Sequence, residues 1–179
     1  MSKLRDWLEN LGNKIPGYAG YSERERRRDA DKLHREHLAD RLRAAKGPVG
    51  EAVRDLSSTG RLFEVGPVDR VLKKLDQVEN RIRFASYGYA GFFDAVKIEE
   101  PQLGTLYQFD LALVERVEQV EQHARALGSR TGGASVKEAA AELERAVDEL
   151  NRSFDERSRV INNFGGAAGG GAEGRPMFG

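Results

Sequence analysis

Apolar residues in this chain recur at alternating spacings of three and four over long stretches, and that rhythm constrains the fold more than any other feature. Val68, Val71, Leu75, Val78, Ile82, Ala85, Tyr89, Phe92 and Val96 form one stripe. A second runs Leu103, Leu106, Asp110, Leu113, Val117, Val120, Ala124 and Leu127, and a third Val136, Ala140, Leu143, Val147, Leu150, Phe154, Arg157 and Ile161. Such spacing keeps one helical face apolar over successive heptads. Long amphipathic helices joined by short breaks bury those faces against one another. The expected fold is all-α: an antiparallel helical bundle of about four main helices with coiled-coil-like packing.

Local signals set the expected boundaries. Leu4, Trp7, Leu8 and Leu11 share one side of a short N-terminal helix, which Gly12, Pro16, Gly17 and Gly20 end in the loop Ile15–Tyr21. Ser22 and Glu25 form a capping-box pattern ahead of a charged helix spanning residues 23–45, which Gly47-Pro48 terminates. A shorter helix over 49–57 follows. Pro67 suits the first turn of the helix carrying the first stripe, read as running to Ala95. Pro101 opens the next helix in the same way, and Gly128 caps its end. Ser135 with Glu138 starts the last, which ends near Asn163. The chain thus divides into a helix and Gly/Pro loop (1–21), a bundle domain (22–163) and a glycine-rich tail (164–179) expected to be disordered. Folding the chain about 97–102 and 128–134 puts Tyr89 opposite Asp110, and Asp110 opposite Asn151–Arg157.

Composition narrows the function classes. With no cysteine, disulfides, thiolate metal sites and cysteine nucleophiles are excluded. Twenty-nine basic and 29 acidic residues give a net charge of zero, so no global field selects nucleic acid. No apolar run approaches the roughly 18 residues of a membrane span. Asp6, Glu9 and Asn10 interrupt the first eleven residues, unlike a signal peptide, and a cytoplasmic location is expected.

Two stripe positions are chemically anomalous. Asp110 and Arg157 stand where apolar residues belong, and a buried charge must be paired or reach water. The expectation is a polar layer in which Arg157 or Arg152 neutralises Asp110 and Tyr89 donates a hydrogen bond. The alternative is a small polar pocket for a ligand. A lone carboxylate brings no second acid or base at useful spacing, so no catalytic residue is assigned. The stretch Phe84–Phe93 sets Gly88 and Gly91 among Tyr87, Tyr89 and Phe92, with Tyr107 arriving from the next helix. It reads as an aromatic end of the core, with a groove for a partner helix or peptide as the alternative. His34, His37 and His123 read as surface residues, and the charged helix over 23–45 as a solvated face. No metal or cofactor site is assigned.

Trp7 at one end, and Met177 with Phe178 at the other, are candidate docking residues. The functional expectation is a non-enzymatic adaptor or scaffold that binds another protein, a second copy of itself included. No nucleic acid and no small molecule is indicated. One alternative is a peripheral component of a membrane complex, touching the membrane through the Trp7 segment. A second is a ligand binder or enzyme with a pocket around Asp110.

Overall fold

The structure, a computed structural model, describes residues 2–85, 90–95, 97–129 and 134–169. Among them are six α-helices and no strand: α1 (Ser2–Lys14), α2 (Arg27–Ser58), α3 (Leu62–Arg83), α4 (Ala90–Asp94), α5 (Glu100–Gly128) and α6 (Ala134–Gly169). A single 3-10 turn, Arg24–Arg26, precedes α2. The four long helices α2, α3, α5 and α6 form the bundle, and the predicted stripes supply its core from Val68 and Leu75 through Leu113 and Val117 to Leu143 and Leu150. No described helix is long and apolar enough to cross a membrane.

Side-chain pairs fix the helix directions. Lys46 meets Asp76 at 2.8 Å while Arg83 meets Asp40 at 2.8 Å, so α2 and α3 run antiparallel. Arg116–Glu149 and Arg157–Asp110, both at 2.6 Å, set α5 and α6 antiparallel. Arg41 grips Glu121 with two bonds of 2.7 and 2.8 Å, whereas His34 lies beside Asp110, so α2 and α5 run parallel. Lys74 bonds Glu144 and Asp148, and Arg81 bonds Asp155, which makes α3 and α6 parallel too. Around the bundle the order is therefore α2, α3, α6, α5. Helices α3 and α5 consequently face each other across a diagonal and do not pack as neighbours, while the predicted placement of Tyr89 opposite Asp110 lies outside the described residues. The short helix α4 packs on α6.

Several boundaries differ from the sequence reading. Helix α2 continues through Gly47-Pro48, and α3 begins five residues before Pro67. An internal proline loses one hydrogen bond and crowds the residue before it. Here each is preceded by a glycine, Gly47 or Gly66, with no Cβ to clash. The carbonyls that lose this donor are those of Ala44 and Phe63, both exposed residues. The Ser22–Glu25 capping box does not form: Glu23 precedes the 3-10 turn and Arg26 precedes α2, neither with a side-chain cap. Glu99 and Gln102 instead make a reciprocal capping box ahead of Pro101. Ser135 falls inside α6, not at its cap, and α6 extends to Gly169, past the expected end at Asn163. Residues 165–169, assigned to the tail by sequence, are thus helical, and residues 170–179 lie outside the described ones.

Before α2, an arm lies along α5. Leu11 and Ile15 are buried, Trp7 and Leu4 pack against Gly104, and Lys14 bonds Glu118 at 2.7 Å. The loop then doubles back to the start of α2, turning at Gly17 and Gly20 with φ of 82° and 76°. A Cβ on Gly20 would sit 2.4 Å from Tyr107 Oη and 2.7 Å from Leu8 Cδ1. Gly20→Ala combines that clash with an unfavourable positive φ and is expected to cost more than about 2 kcal/mol in urea unfolding. Gly50→Ala, in a helix with only Arg54 Nη1 at 3.7 Å, is expected to gain up to about 1 kcal/mol. Equal effects at the two positions would show that the arm is not seated on Tyr107.

Candidate functional site: a buried ionic layer

Asp110, in the middle of an apolar stripe, is 0% exposed, as is Arg157. Arg157 Nε donates to Asp110 Oδ1 at 2.6 Å, which brings the two anomalous stripe residues together. The other carboxylate oxygen accepts from Tyr21 Oη at 2.7 Å and Tyr18 Oη at 3.1 Å. Arg157 Nη2 donates to Tyr21 Oη at 3.0 Å and to Asp31 Oδ1 at 2.9 Å. Asp31 Oδ2 accepts from Arg35 Nε at 2.7 Å, and Arg35 Nη1 ends on the carbonyl of Arg83 at 2.8 Å. Two carboxylates and two guanidiniums alternate along this line, so its formal charge sums to zero. Each member draws the next: an unpaired buried ion costs several kcal/mol.

The aromatic surroundings come from the arm and from α4. Tyr21 stacks on Tyr107 with ring centres 5.7 Å apart, and its backbone N–H donates to Tyr107 Oη at 2.9 Å. Phe92 lies 6.3 Å from Tyr21 and 6.2 Å from Phe164, closing that end of the core. Arg27 ties the loop to the segment after α4, donating to Tyr21 O at 2.8 Å and Ala95 O at 2.7 Å. Of the candidates, Phe92, Tyr107, Asp110 and Arg157 therefore converge on one region. Gly91 lies in α4. Tyr87, Gly88, Tyr89, Met177 and Phe178 lie outside the described residues. Among the described residues, the phenols that reach Asp110 are Tyr18 and Tyr21, from the loop Ile15–Tyr21. Trp7 packs on the bundle rather than projecting away from it.

His34 corrects the surface-histidine reading: it is fully buried. Its Nε2 lies 3.2 Å from the Asp110 carbonyl, which can only accept, so Nε2 carries the proton. Asp31 and Arg35 are also buried, so one face of the helix expected to be solvated belongs to the core. Extending the rhythm of Leu38, Leu42, Ala45, Val49, Ala52 and Leu56 backwards reaches His34, Asp31 and Arg27, a signal present in the sequence.

Burial alone pushes the Asp110 carboxyl up, but Arg157 and the hydrogen bonds from Arg157 and Tyr21 hold it below the ordinary carboxylate range. Burial and then the Asp110 charge raise Tyr21 well above an ordinary phenol; Tyr18 is likewise raised by burial, then by Tyr21 and Asp110. Asp110 is thus an anion with both oxygens occupied, a poor general base. Among the described residues, no group of three or more His, Asp or Glu side chains is placed to hold a metal ion. Compared with protein-family models, with curated proteins and with solved structures, the chain matches none of them.

Removing one ion should be worse than removing the pair. Asp110→Ala leaves Arg157 short of a counter-charge and is expected to cost about 3–5 kcal/mol in urea unfolding. In Asp110→Leu with Arg157→Leu, Asp31 keeps Arg35, and the loss should fall below the sum of the single Leu variants by at least about 1 kcal/mol. Additive losses would show that the two charges do not depend on each other.

Proposed function

We propose that this chain is a non-enzymatic helical-bundle adaptor that binds another protein through the end of the bundle where α2 turns into α3. The observation that carries the reading is the pair Leu62 and Phe63, 67% and 101% exposed in the first turn of α3. Exposing two large apolar side chains side by side has no folding benefit, and such residues anchor protein interfaces when they fill a partner's pocket. Beside them a cleft of about 230 Å³, lined by Ala52, Leu56, Arg61, Gly128 and Val136 among others, offers a complementary recess. Chemically capable residues favour the same reading from the other side. Asp110, Arg157, Asp31 and Tyr21 are consumed by one another inside the core, which speaks against an enzyme or ligand pocket built on Asp110. The apolar face of α1 is spent on α5, which weakens a membrane role for Trp7.

A tagged full-length chain and its Leu62→Ser/Phe63→Ser variant test this reading by affinity purification from the native cell. The variant should melt within about 2 °C of the parent, because both side chains are exposed. It should lose a protein that the parent retains, and the purified pair should bind with at least about tenfold weaker affinity for the variant. Equal retention and equal affinity would move the interface elsewhere.

A further inference from the structure

Two buried polar atoms of the ionic layer find no hydrogen-bond partner among the described residues: His34 Nδ1 and Arg157 Nη1. With the His34 proton held on Nε2 by the Asp110 carbonyl, Nδ1 presents a lone pair. That lone pair lies 3.7 Å from Asp110 Oδ1, so two acceptors face each other without a donor between them. A proton is the smallest group that resolves such a contact, and imidazole is the side chain whose charge changes between about pH 5 and 8.

We infer that His34 is an acid-sensitive latch for the N-terminal arm, and that a proton taken up at Nδ1 loosens residues 2–21 from α5.

The groups around His34 determine the consequence. On its own helix stand Asp31 and Arg35; α5 contributes Asp110, α6 Arg157, and the loop Tyr18 and Tyr21, with the Tyr18 ring 6.3 Å away. The line of two carboxylates and two guanidiniums is balanced when His34 is neutral. Protonation adds one positive charge in a region sealed from water, next to a guanidinium that already has an idle donor. The new Nδ1–H points at Asp110, the carboxylate to which both arm tyrosines are tied. His34⁺ and Arg157 then draw on one anion, and the tyrosine hydroxyls are the neutral partners with the least to hold them. Burial, opposed by Asp110 and assisted by Arg157, lowers the affinity of His34 for a proton in the closed state. The unfolded or opened state therefore binds the proton more readily. Stability of the closed state is full above the ordinary histidine range and falls as pH drops below about 6.5. The arm yields first because it lies outside the ring of four long helices, packed along α5.

Trp7, the one tryptophan of the chain, sits on the arm against Gly104 and reports its release. Between about pH 7.5 and about pH 5, Trp7 emission should shift to the red, and protease cleavage within residues 2–21 should quicken by about tenfold. Far-ultraviolet ellipticity should keep most of its amplitude, since the bundle stays closed. His34→Gln retains an amide donor near the Nε2 position and cannot titrate, so its emission and cleavage should be flat over that range. His37→Gln with His123→Gln, removing the other two histidines, should leave the transition in place. An arm that stays docked at about pH 5, or a transition that persists in His34→Gln, would overturn the latch. Should His34→Gln fail to fold, nuclear magnetic resonance titration of His34 in the parent chain decides. Its midpoint must coincide with the Trp7 transition, and a separate midpoint refutes the coupling.

Discussion

Arg157 is a very large side chain to bury completely, and its charge has to be answered where it lies. Taking a guanidinium out of water costs several kcal/mol unless carboxylates and hydrogen bonds replace the solvent. Asp110 does this on one side and Asp31 on the other. The requirement then passes outwards. Asp31 has a second oxygen to satisfy and takes Arg35; Arg35 has a further donor and takes the carbonyl of Arg83, the last residue of α3. A cation on the final carbonyls of a helix both pairs them and opposes the helix dipole. The place where α3 stops is therefore tied, through Arg35 and Asp31, to Arg157 on α6.

That chain of dependence explains which features were legible in the sequence. The three stripes are local periodicities: the second and third mark α5 and α6, whereas the helix of the first ends at Arg83, short of the expected Ala95, and α4 is separate. Asp110 and Arg157 stood out because each breaks a stripe of its own. Asp31 and His34 did not, because their stripe is split by Pro48, and a proline normally ends a helix. The preceding glycine, with no Cβ to clash, makes it tolerable here. The end of α3 was illegible for a different reason: its cap comes from Arg35, forty-eight residues away from Arg83, and no local rule contains it. Tyr18 and Tyr21 lay in a stretch dense in glycine and proline, where the turn signal masked two buried phenols.

Alternating helix directions leave two ways to close a bundle of this kind: α3 beside α5, or α3 diagonal to α5. The apolar residues hardly distinguish them, since Ala52, Leu56, Val68, Ala124, Leu127 and Ala140 can pack against one another in many combinations. The ionic layer does distinguish them. Arg157 on α6 must meet Asp110 on its neighbour α5 and Asp31 on α2, across the diagonal. A short side chain could not span the centre of the bundle, and an arginine can. Exchanging the positions of α2 and α3 would set α2 across a diagonal from α5, parting His34 from the Asp110 carbonyl and Arg41 from Glu121. Charges in the core thus act against the competing topology, the best-attested use of buried polar groups.

The same division separates two tasks along the length of the molecule. At one end, charge and aromatic stacking specify a single arrangement, and the arm seals it from water. At the other, where α2 turns into α3, the core is aliphatic and tolerant, and Leu62 and Phe63 stand in solvent. An aliphatic end can repack at little cost, because its core has no charges to leave unpaired. An ionic end cannot, because any shift of α2, α5 or α6 lengthens several charge-assisted bonds at once. A bundle built this way fixes its topology at the ionic end and leaves the aliphatic end free to repack.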